Sequence, residues 1–288
     1  MRWRGREQST NVEDRRGSGG RVAAGGGIGV LIIAVIVALL GGNPAGFLQQ
    51  QQQAAQQAAQ QGGAGDPTAN LSPEEIERGE MAKVVLKDTE DVWSDLFAAS
   101  GQRYRPPTLV LFSGSTQSRC GGASASTGPF YCPADEKVYL DTSFFTQLDR
   151  QLGAPGDFAQ AYVIAHEVGH HIQNLTGKTD YVDEIRSTRS EVEANAASVK
   201  LELQADFYAG VVLHHTQKEK QVIEPGDIEE ALRAATAIGD DRLQKRSQGF
   251  AVPETFTHGT SEQRLRWFMK GLETGDLSQG NTFEAREL

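Results

Sequence analysis

The chain has 288 residues, of which 38% are hydrophobic, enough for one or two domains with a buried core. Its formal net charge of −10 argues against a nucleic-acid partner held by phosphate neutralisation. The charge is uneven, because six arginines and three acidic residues precede residue 49, so that this part carries +3 and the remainder −13.

An apolar segment follows the basic N-terminus. Residues 23–40 are all apolar or glycine and, as a helix, would span about 27 Å, close to the hydrocarbon thickness of a membrane. We predict a single-pass signal anchor in the cell membrane, with the basic residues 1–22 in the cytoplasm and the rest of the chain outside. A cleaved signal peptide is the alternative, but residues 41–45 lack an A-x-A pattern and the apolar run is long for one.

Residues 41–70 are rich in Gln, Ala and Gly. This composition buries too little apolar surface to fold, so we predict a disordered linker between the membrane and a folded domain at 71–288. A coiled coil is the alternative, although large apolar residues at heptad positions are missing.

The first predicted helix of the domain begins after Ser72 and runs towards Ala99. Ser72 is a typical N-cap, Pro73 suits the first helical position, and Glu75 completes a capping box. We assign six residues of this helix to the buried core: Ile76, Val84, Val85, Val92, Trp93 and Leu96.

A small β-sheet is predicted next. Residues 108–112, 128–132 and 137–141 are β-prone runs at a spacing that suits three strands. Cys120 and Cys132 flank a Gly/Ser-rich loop and, outside the membrane, are expected to form a disulfide. They would bind a metal only together with a histidine, and none lies near them in sequence. If the sheet lies beside the metal site predicted below, its edge is suited to pair with an extended peptide.

The most informative stretch is His166-Glu167-x-x-His170 on an amphipathic helix. The two histidines are four residues apart, so their rings share one helix face and suit a single Zn²⁺. Glu167 is offset by about 100°, which directs it towards a water beside the metal and makes it the candidate general base. The apolar face comprises Phe158, Ala161, Tyr162, Ala165, Val168 and Ile172.

The same helix has predicted ends and a predicted contact. Asp157 and Gln160 form a capping-box pattern at its start, and Gly177 is a suitable stop. Gly169 lies between the two histidines, where the lack of a side chain would let a neighbouring element approach closely.

A third metal ligand is expected on a second long helix, which opens at Ser190 and Glu193 and extends towards His215. Glu202 and Asp206 are four residues apart in a largely apolar surrounding. We predict Glu202 as the ligand and Asp206 as the acceptor of a ligating imidazole's N–H. Glu191 and Glu193 are alternative ligands, but helix capping already accounts for them.

The C-terminal part is predicted to contain two more helices. The first begins at Asp227 and reaches about Ser247, and the second follows an N-cap at Thr260 or Ser261. His258 lies in the loop between them.

Three segments together resemble the bacterial neutral zinc metallopeptidase family: the motif at 166–173, residues 201–210, and the region from Cys120 to Cys132. The resemblance covers about residues 70–275 and implies a membrane-associated zinc peptidase. The implied fold is α+β, a mainly helical zincin-like domain with a small β-sheet. The pairing of H-E-x-x-H with E-x-x-x-D is also similar to gluzincins, in which the first Glu of the second motif is the third ligand.

The segment from His258 to Arg264 resembles the H-P-P-x-x-x-R segment of membrane-associated gluzincins, with Gly259 and Thr260 in place of the two prolines. That resemblance implies that His258 hydrogen-bonds the oxyanion and that Arg264 anchors the loop. The alternative is that His258 is a loop residue beside a helix cap.

Two functions follow from these predictions. The first is a membrane-anchored zinc endopeptidase that acts on a peptide or protein substrate with Glu167 as general base. The second is a membrane-tethered, non-catalytic zinc scaffold that binds a partner. Glu167 favours the enzyme, because a structural zinc site needs no base beside its ligands.

Overall fold

The computed structural model describes residues 1–16, 71–124, 127–150 and 153–288. Helix α1 spans Pro73–Ala99, as predicted. The hydroxyl of Ser72 accepts the N–H of Glu75 at 3.2 Å, and the Glu75 carboxylate accepts the N–H of Ser72 at 2.8 Å, so the capping box is present. Of the predicted core residues, Val84, Val85, Val92 and Trp93 are buried, whereas Ile76 and Leu96 are half-buried.

The main sheet has four strands: β1 (Val12–Asp14), β2 (Thr108–Phe112), β5 (Phe130–Cys132) and β6 (Lys137–Asp141). Their order is β1-β2-β6-β5, with β1 and β6 parallel to β2 and β5 antiparallel to β6. A separate hairpin pairs β3 (Ser115–Ser118) with β4 (Gly121–Ser124). Cys120, between the hairpin strands, forms the predicted disulfide with Cys132 at the end of β5.

Strand β1 changes the predicted domain boundary. Met1–Asp14 and Ser72–Leu288 form one compact unit, so residues 1–14 are not a separate basic tail. Val12 pairs with Leu109, and the side chain of Arg6 forms an ion pair with Asp88 of α1. A three-residue strand with two acidic residues has no periodicity that would reveal a partner almost a hundred residues away.

The N-terminal ammonium group also corrects the predicted cap of the metal-motif helix. It lies 2.6 Å from a carboxylate oxygen of Asp157 and 3.1 Å from one of Asp227. The N-cap of this helix is Gly156, without a side-chain cap. The predicted capping box of Asp157 and Gln160 is therefore wrong, because the Asp157 carboxylate binds the ammonium instead.

The remaining helices of the described residues are α2 (Phe144–Arg150), α3 (Asp157–Leu175), α4 (Lys178–Thr188), α5 (Glu191–Lys220), α6 (Asp227–Ala237), α7 (Asp240–Gln248) and α8 (Ser261–Thr274). The capping boxes at Ser190 and Thr260 are both present. The predicted single helix from Asp227 to Ser247 is divided into α6 and α7 at Gly239. Gly239 is extended, and a Cβ there would lie 2.5 Å from the backbone N of Ser261, so the start of α8 packs against this break too closely for a side chain.

Helix α5 packs against both α3 and α8. Helices α3 and α5 are in close contact at Gly169, where an added Cβ would lie 3.1 Å from the Cα and the carbonyl O of Ala205. The expected close approach at Gly169 is confirmed. Since Gly169 lies between His166 and His170, and Ala205 between Glu202 and Asp206, this crossing brings the two motifs together.

The predicted fold class is confirmed at the level of a mainly helical α+β domain with small sheets. Within the part of the chain that the structure describes, no helix combines the length and apolar character that a membrane crossing requires. The predicted anchor at 23–40 and the predicted linker at 41–70 lie outside the described residues.

Candidate metal centre

His166 and His170 of α3 meet Glu202 of α5 at one point. The Glu202 carboxylate has one oxygen 3.2 Å from Nε2 of His166 and the other 3.5 Å from Nε2 of His170. Tetrahedral zinc with ligands at 2.0–2.1 Å places its ligand atoms about 3.3 Å apart. The two nitrogens and the carboxylate therefore fit a zinc ion, and their chemistry is that of a His₂Glu site.

Both imidazoles are oriented by hydrogen bonds from the opposite ring nitrogen. Nδ1 of His166 lies 2.8 Å from Oδ1 of Asp206, and Nδ1 of His170 lies 2.8 Å from Oε1 of Gln173. Since both partners are acceptors, each Nδ1 carries the proton and each Nε2 keeps its lone pair for a metal. Gln173 was missed by the sequence analysis, although its position three residues after His170 on the same helix is a usable signal.

Asp206 is the centre of a buried polar network. Its carboxylate is fully buried and accepts hydrogen bonds from Nε and Nη2 of Arg264, both at 2.9 Å, and from the Tyr162 hydroxyl at 2.5 Å. Arg264 is thus bound to Asp206 instead of anchoring the loop at His258, which corrects that expectation. A buried carboxylate needs a counter-charge and full hydrogen bonding, and Arg264 supplies both.

The charges of the centre are strongly coupled. Burial would raise the pKa of Glu202, but His170 and His166 hold this pKa well below its ordinary value. Burial opposes the charged form of His166, but Asp206 and Glu202 outweigh it and raise the pKa of His166 to about 10. Without a metal the centre therefore holds a proton on His166, and a zinc ion would have to displace it.

A cavity of 490 Å³ opens over these residues and is lined by His166, His170, Glu202 and Glu167. Glu167 is almost fully buried and follows directly on the first histidine, so its carboxyl reaches the cavity beside the metal ligands. Another wall is formed by Phe130 and Tyr131 of β5, the last strand of the main sheet. The geometry thus combines a metal centre, a candidate base and a strand edge in one cleft.

His258 lines the same cavity from the loop before α8, and its side chain is half exposed. Its Nδ1 lies 3.2 Å from Oδ1 of Asp240, the first residue of α7. The other Asp240 oxygen accepts the backbone N–H groups of Thr257, His258 and Gly259 at 2.7, 2.6 and 3.2 Å. The hydrogen bond with Asp240 raises the pKa of His258. Asp240 was missed because the sequence predicted an unbroken helix through it.

Comparison with known proteins agrees with this geometry. A family model described as "Putative neutral zinc metallopeptidase" matches residues 1–283. The uncharacterized protein YpfJ of Escherichia coli strain K12 is 45% identical over 289 residues, covering 98% of this chain and 99% of that protein. The uncharacterized proteins Mb2605 of Mycobacterium bovis and Rv2575 of Mycobacterium tuberculosis strain H37Rv are each 44% identical over 207 residues, 68% of either chain. No solved structure matches.

Proposed function

We propose that this chain, which belongs to the family described as "Putative neutral zinc metallopeptidase", is a zinc-dependent endopeptidase with a zincin-like domain. The observation that carries the proposal is the meeting of His166, His170 and Glu202, whose ligand atoms all lie within 4.8 Å of one another, in a cleft that also contains Glu167. A structural zinc site is normally closed by four protein ligands, whereas three ligands beside an open cavity are typical of catalytic sites.

Each residue of the cleft has a chemical role in this proposal. When bound, zinc would polarise the peptide carbonyl and make a nearby water more acidic. Glu167 accepts the proton of the attacking water and returns it to the leaving amine. His258, oriented through Nδ1 by Asp240, donates from Nε2 to the oxygen that becomes negative in the transition state. Asp206 keeps the His166 ring in the metal-binding tautomer.

The cleft also suits an extended peptide. Strand β5 is hydrogen-bonded to β6 on one side and is the terminal strand of the sheet formed by the described residues, so its other edge suits pairing with a substrate in the manner of an added strand. Phe130, Phe144 and Val163 make this part of the lining apolar. We therefore expect a preference for peptides with large apolar side chains near the scissile bond.

The proposal is tested by the substitution Glu167→Gln. We expect unchanged zinc content and a loss of peptide-library cleavage of at least about 100-fold, because the proton acceptor is gone. Glu219→Gln, an exposed change near the end of α5 and outside the cleft lining, is the control and should behave like the unaltered chain. Glu202→Ala should lower the zinc content itself. Full turnover by the Glu167 variant would remove this residue as base.

Measurements on the unaltered chain alone distinguish the non-catalytic zinc scaffold from the enzyme. Stoichiometric zinc together with no cleavage of any library peptide would favour the scaffold. Cleavage that stops when a chelator removes zinc, and returns when zinc is restored, would favour the peptidase.

We also propose that the apolar segment 23–40 attaches the protein to a membrane, but with a changed orientation. The predicted single crossing puts residues 1–22 and the domain on opposite sides. Pairing of β1 with β2 in one compact unit does not fit that arrangement and supports both flanks on the same side. Single cysteines introduced at the exposed positions Gln8 and Glu184 should react alike with a membrane-impermeant maleimide on intact cells. Labelling of only one of the two cysteines would instead support the predicted single crossing of the membrane.

A further inference from the structure

We propose that His171 is a positioning residue that fixes the edge strand β5 beside the metal-motif helix α3. His171 directly follows His170 on α3, yet its ring points away from the metal centre and is fully buried. The positioning itself is argued from hydrogen bonds, and its effect on substrate binding rests on the proposed peptidase function.

Both ring nitrogens of His171 have partners with defined roles. Nε2 lies 2.7 Å from the backbone carbonyl oxygen of Arg105, which only accepts, so Nε2 carries the hydrogen. In the neutral ring Nδ1 is then an acceptor, and it receives the hydroxyl hydrogen of Tyr131 at 3.0 Å. The Tyr131 oxygen in turn accepts the side-chain N–H of Asn174 at 3.1 Å. This chain of hydrogen bonds therefore has one assignment of donors and acceptors in which each of these groups is hydrogen-bonded.

The partners of His171 belong to two separate parts of the sheet. Arg105 is three residues before β2, whereas Tyr131 is the middle residue of β5, and β6 lies between these two strands. The rings of Tyr104 and Tyr131 contact the imidazole edge-on, with centroids 6.0 and 5.4 Å away. His171 therefore connects α3 both to the segment before β2 and to β5, the strand whose edge is proposed to pair with the substrate.

This tie is important because β5 is a weakly held strand. It has three residues and, among the described residues, its one strand partner is β6; a disulfide also holds its last residue, Cys132. His171 lies in the same turn of α3 as the ligand His170. Its hydrogen bonds therefore determine the position of β5 relative to the metal centre. A displacement of about 1 Å between substrate and reacting groups is enough to cost a large factor in rate.

The test compares two tyrosines of the same sheet. Tyr131→Phe removes the hydroxyl that binds His171, and His171→Phe fills the ring volume without hydrogen bonds. Tyr139→Phe is the matched control, because it removes the hydroxyl of a neighbouring strand that donates to Asp135 at 2.7 Å. All are made in the full chain, loaded with zinc.

The first measurement is amide hydrogen exchange. We expect residues 130–132 to exchange about fivefold faster in the Tyr131 and His171 variants, the effect of about one lost hydrogen bond, with residues 163–170 unchanged. Unchanged exchange in β5, or an equal change in the Tyr139 variant, would overturn the positioning role. This result does not depend on catalysis.

The second measurement is kinetic. For peptides long enough to pair with β5, KM should rise about fivefold in both the Tyr131 and the His171 variants, and it should rise less for the shortest cleaved peptide. A uniform loss of kcat on all peptides would contradict edge-strand positioning. If the unaltered zinc protein cleaves nothing, the peptidase proposal fails, and the exchange data still decide whether His171 holds β5.

Discussion

Replacing Asp206 with Asn removes one buried negative charge with little change in shape. The Asp206 carboxylate is fully buried, and the Arg264 side chain beside it is only 2% exposed. Asp206→Asn leaves the guanidinium in the interior without its counter-charge, and removing one partner of such a pair typically costs about 3–5 kcal/mol. That is a large part of a typical free energy of unfolding of about 5–15 kcal/mol.

The same substitution should also weaken zinc binding, for a separate reason. His166 donates its Nδ1 hydrogen to Asp206 at 2.8 Å, and an amide oxygen is a weaker acceptor than a carboxylate. Loss of such an outer-shell partner lowers metal affinity by about 10- to 100-fold. Stability is measured by urea unfolding of the chelator-treated chain, and zinc affinity by competition with a chelator of known affinity.

A second substitution separates the two effects. Adding Arg264→Met to Asp206→Asn removes the unpaired guanidinium and should restore most of the lost stability, because apolar replacement of a buried pair is often close to neutral. Zinc affinity should stay low, since His166 still lacks the carboxylate. Asp88→Asn, at a buried carboxylate that pairs with the part-buried Arg6 and with Lys220 remote from the cleft, should lower stability but not zinc affinity. A stability loss below about 1 kcal/mol in Asp206→Asn, or recovery of zinc affinity in the double variant, would refute this reasoning.

Three further outcomes are expected. Gly169→Ala should lower the free energy of unfolding by about 1–3 kcal/mol through overpacking against α5, partly offset by about 1 kcal/mol of helix propensity. Calorimetry should also show weaker zinc binding. Unchanged zinc affinity would contradict the idea that the helix crossing sets the spacing of the ligands. Serine at both Cys120 and Cys132 should lower the free energy of unfolding by about 3 kcal/mol in urea titrations without reductant, and no loss would mean that the disulfide does not constrain the unfolded chain. In the chelator-treated protein, the stability that protonated His166 contributes is complete below its ordinary pKa of 6.5 and is lost as the pH rises through its folded-state pKa of about 10. The free energy of unfolding measured at pH 6–10 should show this loss, whereas that of the zinc-saturated protein should not. A profile that does not change with pH would contradict the raised pKa.

The sequence predicts those features whose cause is local. The capping boxes at Ser72 and Ser190 depend on residues three apart, so α1 and α5 begin where predicted. The strands at 108–112 and 137–141 are short β-prone runs whose bounds match those of β2 and β6. The spacing of His166, Glu167 and His170 determines which face of α3 they share, and the close approach at Gly169 follows from its missing side chain.

Contacts between distant residues were decided only by the tertiary structure. Pairing of β1 with β2, the break between α6 and α7 at Gly239, and the partnership of Arg264 with Asp206 all depend on elements that are far apart in the chain. Sequence periodicity describes one element and the face it buries, but not which element covers that face. The crossing of α3 and α5 supplies this missing information, because it brings the Glu202 carboxylate to both ring nitrogens.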